Sequence, residues 1–146
     1  MRILPPLLWI LMLALIGVSH WVNWSPRLVP IPWQWSGAIV FAIGFAITII
    51  ANRHFSRVQT NIHTFRDPTV LVTDGLFAMS RNPMYLGFTL ALLGAALLAN
   101  GWLSLVPVGF FIAVSQLHYI PFEERAAERV FGDEWRDYKT RVRRWI

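Results

Sequence analysis

The chain has no cysteine among its 146 residues, which excludes disulfides, thiolate metal sites and a cysteine nucleophile. Charge is the second scarcity. Asp, Glu, Lys and Arg make up 14% of the sequence, where an ordinary globular domain carries about 25%. The charges present are unevenly placed: none occurs in residues 3–26, 28–52 or 82–122. Runs of that length without a charge exclude an ordinary soluble domain and point to a membrane. What fills them is apolar and aromatic, with 55% hydrophobic residues overall and eight tryptophans.

A membrane-spanning helix takes about 20 mostly apolar residues. The first two runs therefore predict one span each, over residues 3–22 and 33–52. The third predicts two, over 84–99 and 102–119, because Asn100-Gly101 is a turn signal between them. The expected fold is an all-α integral membrane domain of four transmembrane helices, the last two a tight hairpin. Gly87, Ala91, Ala95 and Ala99 recur at four-residue spacing and would let helix backbones approach closely in that hairpin. The first segment follows Arg2 and has no small-residue cleavage site before the polar stretch Ser19 to Ser25. It is read as a retained span rather than a signal peptide.

The basic residues set the orientation. Arg2 precedes the first span; Arg53, Arg57, Arg66 and Arg81 lie between the second and third; seven follow the fourth. Arg27 is alone between the first and second. The positive-inside rule then places both termini and the middle loop in the cytosol. The net charge of +5 thus has a topological explanation, and no motif implies a nucleic-acid partner.

Two cytosolic segments remain. The loop over residues 53–83 has no strong amphipathic period but carries Phe65, Val70, Leu71, Val72, Leu76, Phe77 and Met79. A loop that long and that apolar is expected to fold back over the helix ends. In residues 122–146 the positions Ala127, Phe131, Trp135, Tyr138, Val142 and Trp145 form a helical stripe. This predicts amphipathic cytosolic helices, with Gly132 ending one and Asp133 capping the next. Arg141, Arg143 and Arg144 suit an anionic acceptor, lipid head groups, or simple snorkelling. Glu123-Glu124 allows two readings: favourable charge in a first helical turn, or a pair of carboxylates meeting a cation. Ser80-Arg81-Asn82-Pro83 is equally open. Asn82 suits an N-cap and Pro83 the first helical position, or Arg81 has a ligand to hold. His20, His54, His63 and His118 lack metal-ligand spacing, so no metal site is expected.

Taken together, RNPMYLG, a two-helix hairpin, EER, and FG-x-x-W-x-x-Y-x-x-x-V-x-R-W-I resemble a family of membrane enzymes. It is the isoprenylcysteine carboxyl methyltransferase and phospholipid methyltransferase superfamily. The resemblance runs from about Thr60 to Ile146 and includes the upstream LVTDGLFAMSRNP. It implies transfer of a methyl group from S-adenosylmethionine to a lipophilic or small acceptor (a carboxylate, amine or thiol) at the cytosolic face, among membrane lipids. It also implies a cofactor site made of Arg81, Asn82, Pro83, Tyr85, Gly87, Glu123 and Glu124. In that site Arg81 would hold the cofactor's carboxylate, the carboxylates its ammonium or ribose, and Tyr85 its adenine or sulfonium. Gly87 would admit the ligand to the helix backbone. The prenylcysteine enzymes usually carry histidine at the position of Asn82, and asparagine takes up no proton near neutral pH. The catalytic group is therefore unassigned. Two alternatives stand beside this reading: an NADPH-dependent membrane reductase of the sterol reductase type, whose chains are much longer, and a non-catalytic membrane scaffold.

Overall fold

A computed structural model describes residues 3–22, 26–57 and 68–146. Arg2, and Thr60, His63, Phe65 and Arg66 of the expected cytosolic loop, lie outside the described residues. Every regular element among the described residues is helical: α1 (Pro5–Val22), α2 (Ser36–Arg57), α3 (Pro83–Ala99), α4 (Leu105–Val114), α5 (Ile120–Phe131) and α6 (Asp133–Arg141). Among the described residues, three helical stretches are long and apolar enough to cross a membrane: Pro5–Val22, Trp33–Arg57 and Trp102–Phe131. The chain is an integral membrane protein. Helix α3 is apolar but has 17 residues, about 25 Å at 1.5 Å per residue, a little short of a bilayer's hydrocarbon core.

Helix α3 sits at the centre of the bundle. Leu92, Ala91 and Ala96 are fully buried, and both α1 and α2 pack on it. The α2 contact is the closest, which corrects the expectation of a tight hairpin between α3 and the helix after it. Gly37 and Gly44 of α2 meet Gly94 and Gly87 of α3 in antiparallel register. A methyl group built on Gly44 would lie 2.6 Å from the Gly87 carbonyl oxygen, and one on Gly94 would lie 2.6 Å from that of Gly37. Glycine seven residues apart on each helix gives both backbones a flat face, and in lipid close van der Waals approach is what holds helices together. Around α3, Trp9 of α1 donates its indole N–H to the Phe88 carbonyl at 3.0 Å, and Phe88 meets Phe111 of α4 edge to face.

The last long helix does not stop near residue 119. It runs on through a π-helical turn, Ser115–Tyr119, into α5. Pro121 lies just beyond. It cannot donate a backbone N–H and crowds the carbonyl one turn back; the wider π turn accommodates it without a break. Gly132, at φ +52°, separates α5 from α6. Asp133 is the first residue of α6, and Gly132 occupies the capping position in its place; the Asp133 carboxylate accepts from Arg136 at 2.7 Å.

At one end of the bundle the loops before α2 and before α4 are tied by Asn100. This residue takes the left-handed conformation at the end of α3. Its side chain bonds both backbone groups of Val29 and the Gln34 amide oxygen. At the other end, Val72 and Phe77 pack with Ala51 beneath residues 68–82, and α5 and α6 fold over them through Ala127, Trp135, Tyr138 and Val142. The amphipathic stripe thus covers the loop and the helix ends.

Candidate functional site

The second end carries the site. Pro83 opens α3 as expected, with Asn82 in the capping position. The Asn82 side chain makes no capping bond; it donates to the Arg144 carbonyl at 3.0 Å. The reason is the segment after α6, which runs back across the start of α3. The Arg81 backbone N–H donates to the Arg143 carbonyl at 2.9 Å, and Trp145 donates its indole N–H to Gln116 in the π turn.

Arg81 and Glu124 meet at 2.9 Å, with side chains 8% and 10% exposed. Arg144 joins them, its Nη2 2.6 Å and its Nε 3.1 Å from the two carboxylate oxygens of Glu124. The Glu124 carboxylate is buried between two guanidinium groups. Glu124 thus meets two cations, and Arg81 is paired within the chain. Burying such charges is costly unless every lone pair and proton finds a partner. Glu124 does; Arg81 does in part. Its Nη1 donates to the Lys139 and Val142 carbonyls and its guanidinium lies 5.9 Å from the centre of the Trp135 ring. Among the described residues nothing accepts from its Nε, nor from the buried indole N–H of Trp135.

Glu123, adjacent in sequence, points elsewhere. It accepts the Tyr85 hydroxyl at 2.8 Å, and the Tyr85 ring stacks on Tyr119 at 6.2 Å. A cavity of about 120 Å³ opens between these groups, lined by Arg81, Asn82, Glu123 and Glu124 on its polar side. Phe55, Phe77, Phe131, Trp135 and Tyr138 line it with rings. Tyr138 donates its hydroxyl to the Phe77 carbonyl at 2.7 Å. Burial pushes its pKa up to about 12, against the opposing pull of the Arg81 charge. His54 clasps the loop from outside, donating to Asp74 at 2.8 Å; that bond holds the Asp74 carboxyl below the usual carboxylate range.

Of the residues expected at the site, Arg81, Asn82, Glu123 and Glu124 share this cavity. Pro83 begins α3 directly after Arg81 and Asn82, and Tyr85 reaches the cavity through Glu123. Gly87 is placed differently. Its bare face is against Gly44 and Thr48 of α2, so its lack of a side chain serves helix packing rather than ligand approach. Arg144, Trp135 and Tyr138 were not expected there. The aromatic pair lay in a stripe that reads as packing, and Arg144 in a basic run open to an anionic acceptor, lipid head groups or snorkelling. All three stand in the FG-x-x-W-x-x-Y-x-x-x-V-x-R-W-I pattern of the tail, which does not say that these side chains reach the cavity.

Fold and site define a class: a helical integral membrane protein with a cavity carrying both signs of charge at one end of the bundle. A family model described as phospholipid methyltransferase matches residues 33–134, well over half the chain, and the protein belongs to that family. It is 26% identical over 129 residues to a protein-S-isoprenylcysteine O-methyltransferase of Dictyostelium discoideum, covering 86% of this chain and 54% of that protein. It is 37% identical over 78 residues to methanethiol S-methyltransferase 1 of Bradyrhizobium diazoefficiens, covering 51% of this chain and 25% of that one. An uncharacterized protein of Haemophilus influenzae is 43% identical over 63 residues, covering 43% of this chain and all of that protein. The chain spans about half the length of the Dictyostelium relative.

Proposed function

We propose that the protein is a four-span membrane methyltransferase that uses S-adenosylmethionine on the cytosolic side. The family match favours methyl transfer over the reductase and scaffold alternatives. Helix α3 would be the fourth span; its shortness is tolerable because its neighbours shield it. The distribution of Lys and Arg supports a cytosolic position for the end that carries the site.

The observation that carries the proposal is the cavity beside the Arg81–Glu124 pair. S-adenosylmethionine bears a carboxylate, an ammonium and an aromatic base, and this cavity offers a guanidinium, two carboxylates and several rings. The N–H groups of Arg81 and Trp135 that lack an acceptor suit a ligand bearing acceptor atoms, because a buried unmet donor costs about 1–3 kcal/mol. Arg81 would hold the carboxylate, Glu124 or Glu123 the ammonium or ribose, and Trp135 or Phe77 the base. Bound there, the cofactor supplies a methyl on a positively charged sulfur, which leaves as a neutral thioether when a nucleophile takes the methyl. The chain's own residues position the partners and exclude water, which can supply much of the acceleration without a covalent intermediate. Relatives named for isoprenylcysteine and methanethiol support a lipophilic or small acceptor.

Calorimetry in detergent tests this reading. The wild type should bind S-adenosylmethionine, and Glu124→Gln and Arg81→Ala should each weaken binding roughly 10-fold or more, the scale of one charge-assisted hydrogen bond. No binding by the wild type would remove the reading. Equal affinity in all three proteins would move the donor away from this pair.

A further inference from the structure

Arg144 is held behind the site rather than in it. Helix α6 ends before Val142, where the backbone turns extended, and the last residues cross the start of α3. This strap is pinned on both sides of Arg144. The Arg143 carbonyl accepts the Arg81 backbone N–H at 2.9 Å, and the Trp145 indole N–H reaches Gln116 at 2.9 Å. The Arg144 carbonyl itself accepts from the Asn82 amide at 3.0 Å and from the Ser80 hydroxyl at 3.4 Å. With its backbone so fixed, Arg144 sets a planar fork on Glu124, with Nε on one carboxylate oxygen and Nη2 on the other. Arg81 and Glu124 line the cavity; Arg144 stands outside the lining.

The second arginine changes what the first can do. By themselves Arg81 and Glu124 make a neutral pair, in which the carboxylate cancels the charge that would draw an anion. Little water screens such charges when they are buried, so the cancellation is felt strongly. Arg144 puts a second positive charge on the same carboxylate, and the three groups together are left cationic. Glu124 already accepts three N–H groups from the two arginines, which leaves it little to offer a ligand. Glu123, on the same cavity, accepts from Tyr85 instead. The Nε–H of Arg81 is buried with no acceptor among the described residues. Surplus positive charge and an unmet donor, on one residue of the cavity wall, fit an anionic group.

We infer that Arg144 is a positioning residue for the methyl donor: by sharing the charge of Glu124, it leaves Arg81 able to hold the carboxylate of S-adenosylmethionine. This rests on the donor reading of the cavity and deepens it. A residue that merely staples the chain end acts on every ligand alike. One that sets the charge available to Arg81 acts on ligands that carry a carboxylate.

Two ligands that differ in one group supply the test: S-adenosylhomocysteine and its decarboxylated analogue, each titrated by calorimetry into the full chain in detergent. The wild type should prefer S-adenosylhomocysteine by about 10-fold or more, the scale of one charge-assisted hydrogen bond. Arg144→Gln should bring that preference within about 3-fold, by weakening S-adenosylhomocysteine while the analogue binds as before. Arg144→Lys keeps the charge without the planar fork and should fall between the two. Equal weakening of both ligands in Arg144→Gln, or an unchanged preference, would overturn the inference. A wild type that binds both ligands equally would also overturn it and leave the donor reading standing. A wild type that binds neither would remove both. Should Arg144→Gln not fold, Arg144→Lys carries the same test: a loss confined to S-adenosylhomocysteine supports the assignment, and equal loss or none overturns it.

Discussion

Arg81 is the residue on which the site converges. A guanidinium this short of water persists because a carboxylate and two backbone carbonyls surround it, and its Nε–H is buried with no acceptor among the described residues. Tyr138, on the same cavity, gives a prediction that needs no ligand. Its phenol is held neutral by burial, with a pKa raised from 10.0 to about 12. A value raised on folding stabilises the folded state fully below pH 10, and that contribution is lost as pH rises through about 12. Spectrophotometric titration should therefore show a late phenolate step near pH 12 that vanishes in Tyr138→Phe. The same variant should lose less thermal stability than the wild type between pH 10 and 12. Arg81 and Glu124 were legible in the sequence because each stands in a compact motif. Arg144 stands in the R-W-I of the tail pattern, but its pairing with Glu124 was not legible, because the two lie 20 residues apart across a turn that Gly132 creates.

At the scale of elements, the decisive contact is the glycine face between α2 and α3. Gly44→Leu would press a branched side chain against the Ala91 backbone nitrogen and the Gly87 carbonyl. Overpacking of this kind costs about 1–3 kcal/mol, more where the obstacle is backbone. Melting in detergent should show Gly44→Leu markedly destabilised, while Gly109→Leu, with open space around its Cβ position, stays near the wild type. If the two variants melt alike, the glycine face does not hold the pair together. A run of small residues on α3 was visible in the sequence, but its partner was not. Small residues announce that something approaches closely without saying which helix does. The π turn was equally hidden: Pro121 signals a helix start or a break, and only the surrounding helix shows that the strain is absorbed upstream.

For the whole molecule, charge distribution and the bundle's two ends make one topological prediction. Arg27 is exposed at the Asn100 end, and Ser56 and Thr140 are exposed near the site. In intact cells an impermeant maleimide should label Arg27→Cys, and should label Ser56→Cys and Thr140→Cys after permeabilisation alone. The reverse pattern would invert the orientation and put the donor site outside the cytosol. The sequence by itself determined the helical class and the apolar runs, and its charges set the expected sidedness. Hydropathy and charge act residue by residue against lipid and water, so they can be read in order along the chain. Only the tertiary structure decided which groups meet: Arg81 with Glu124 across 43 residues, Arg144 with the same carboxylate, and α3 against α2. Such meetings depend on how helices pack in three dimensions, and no local stretch of residues encodes that alone.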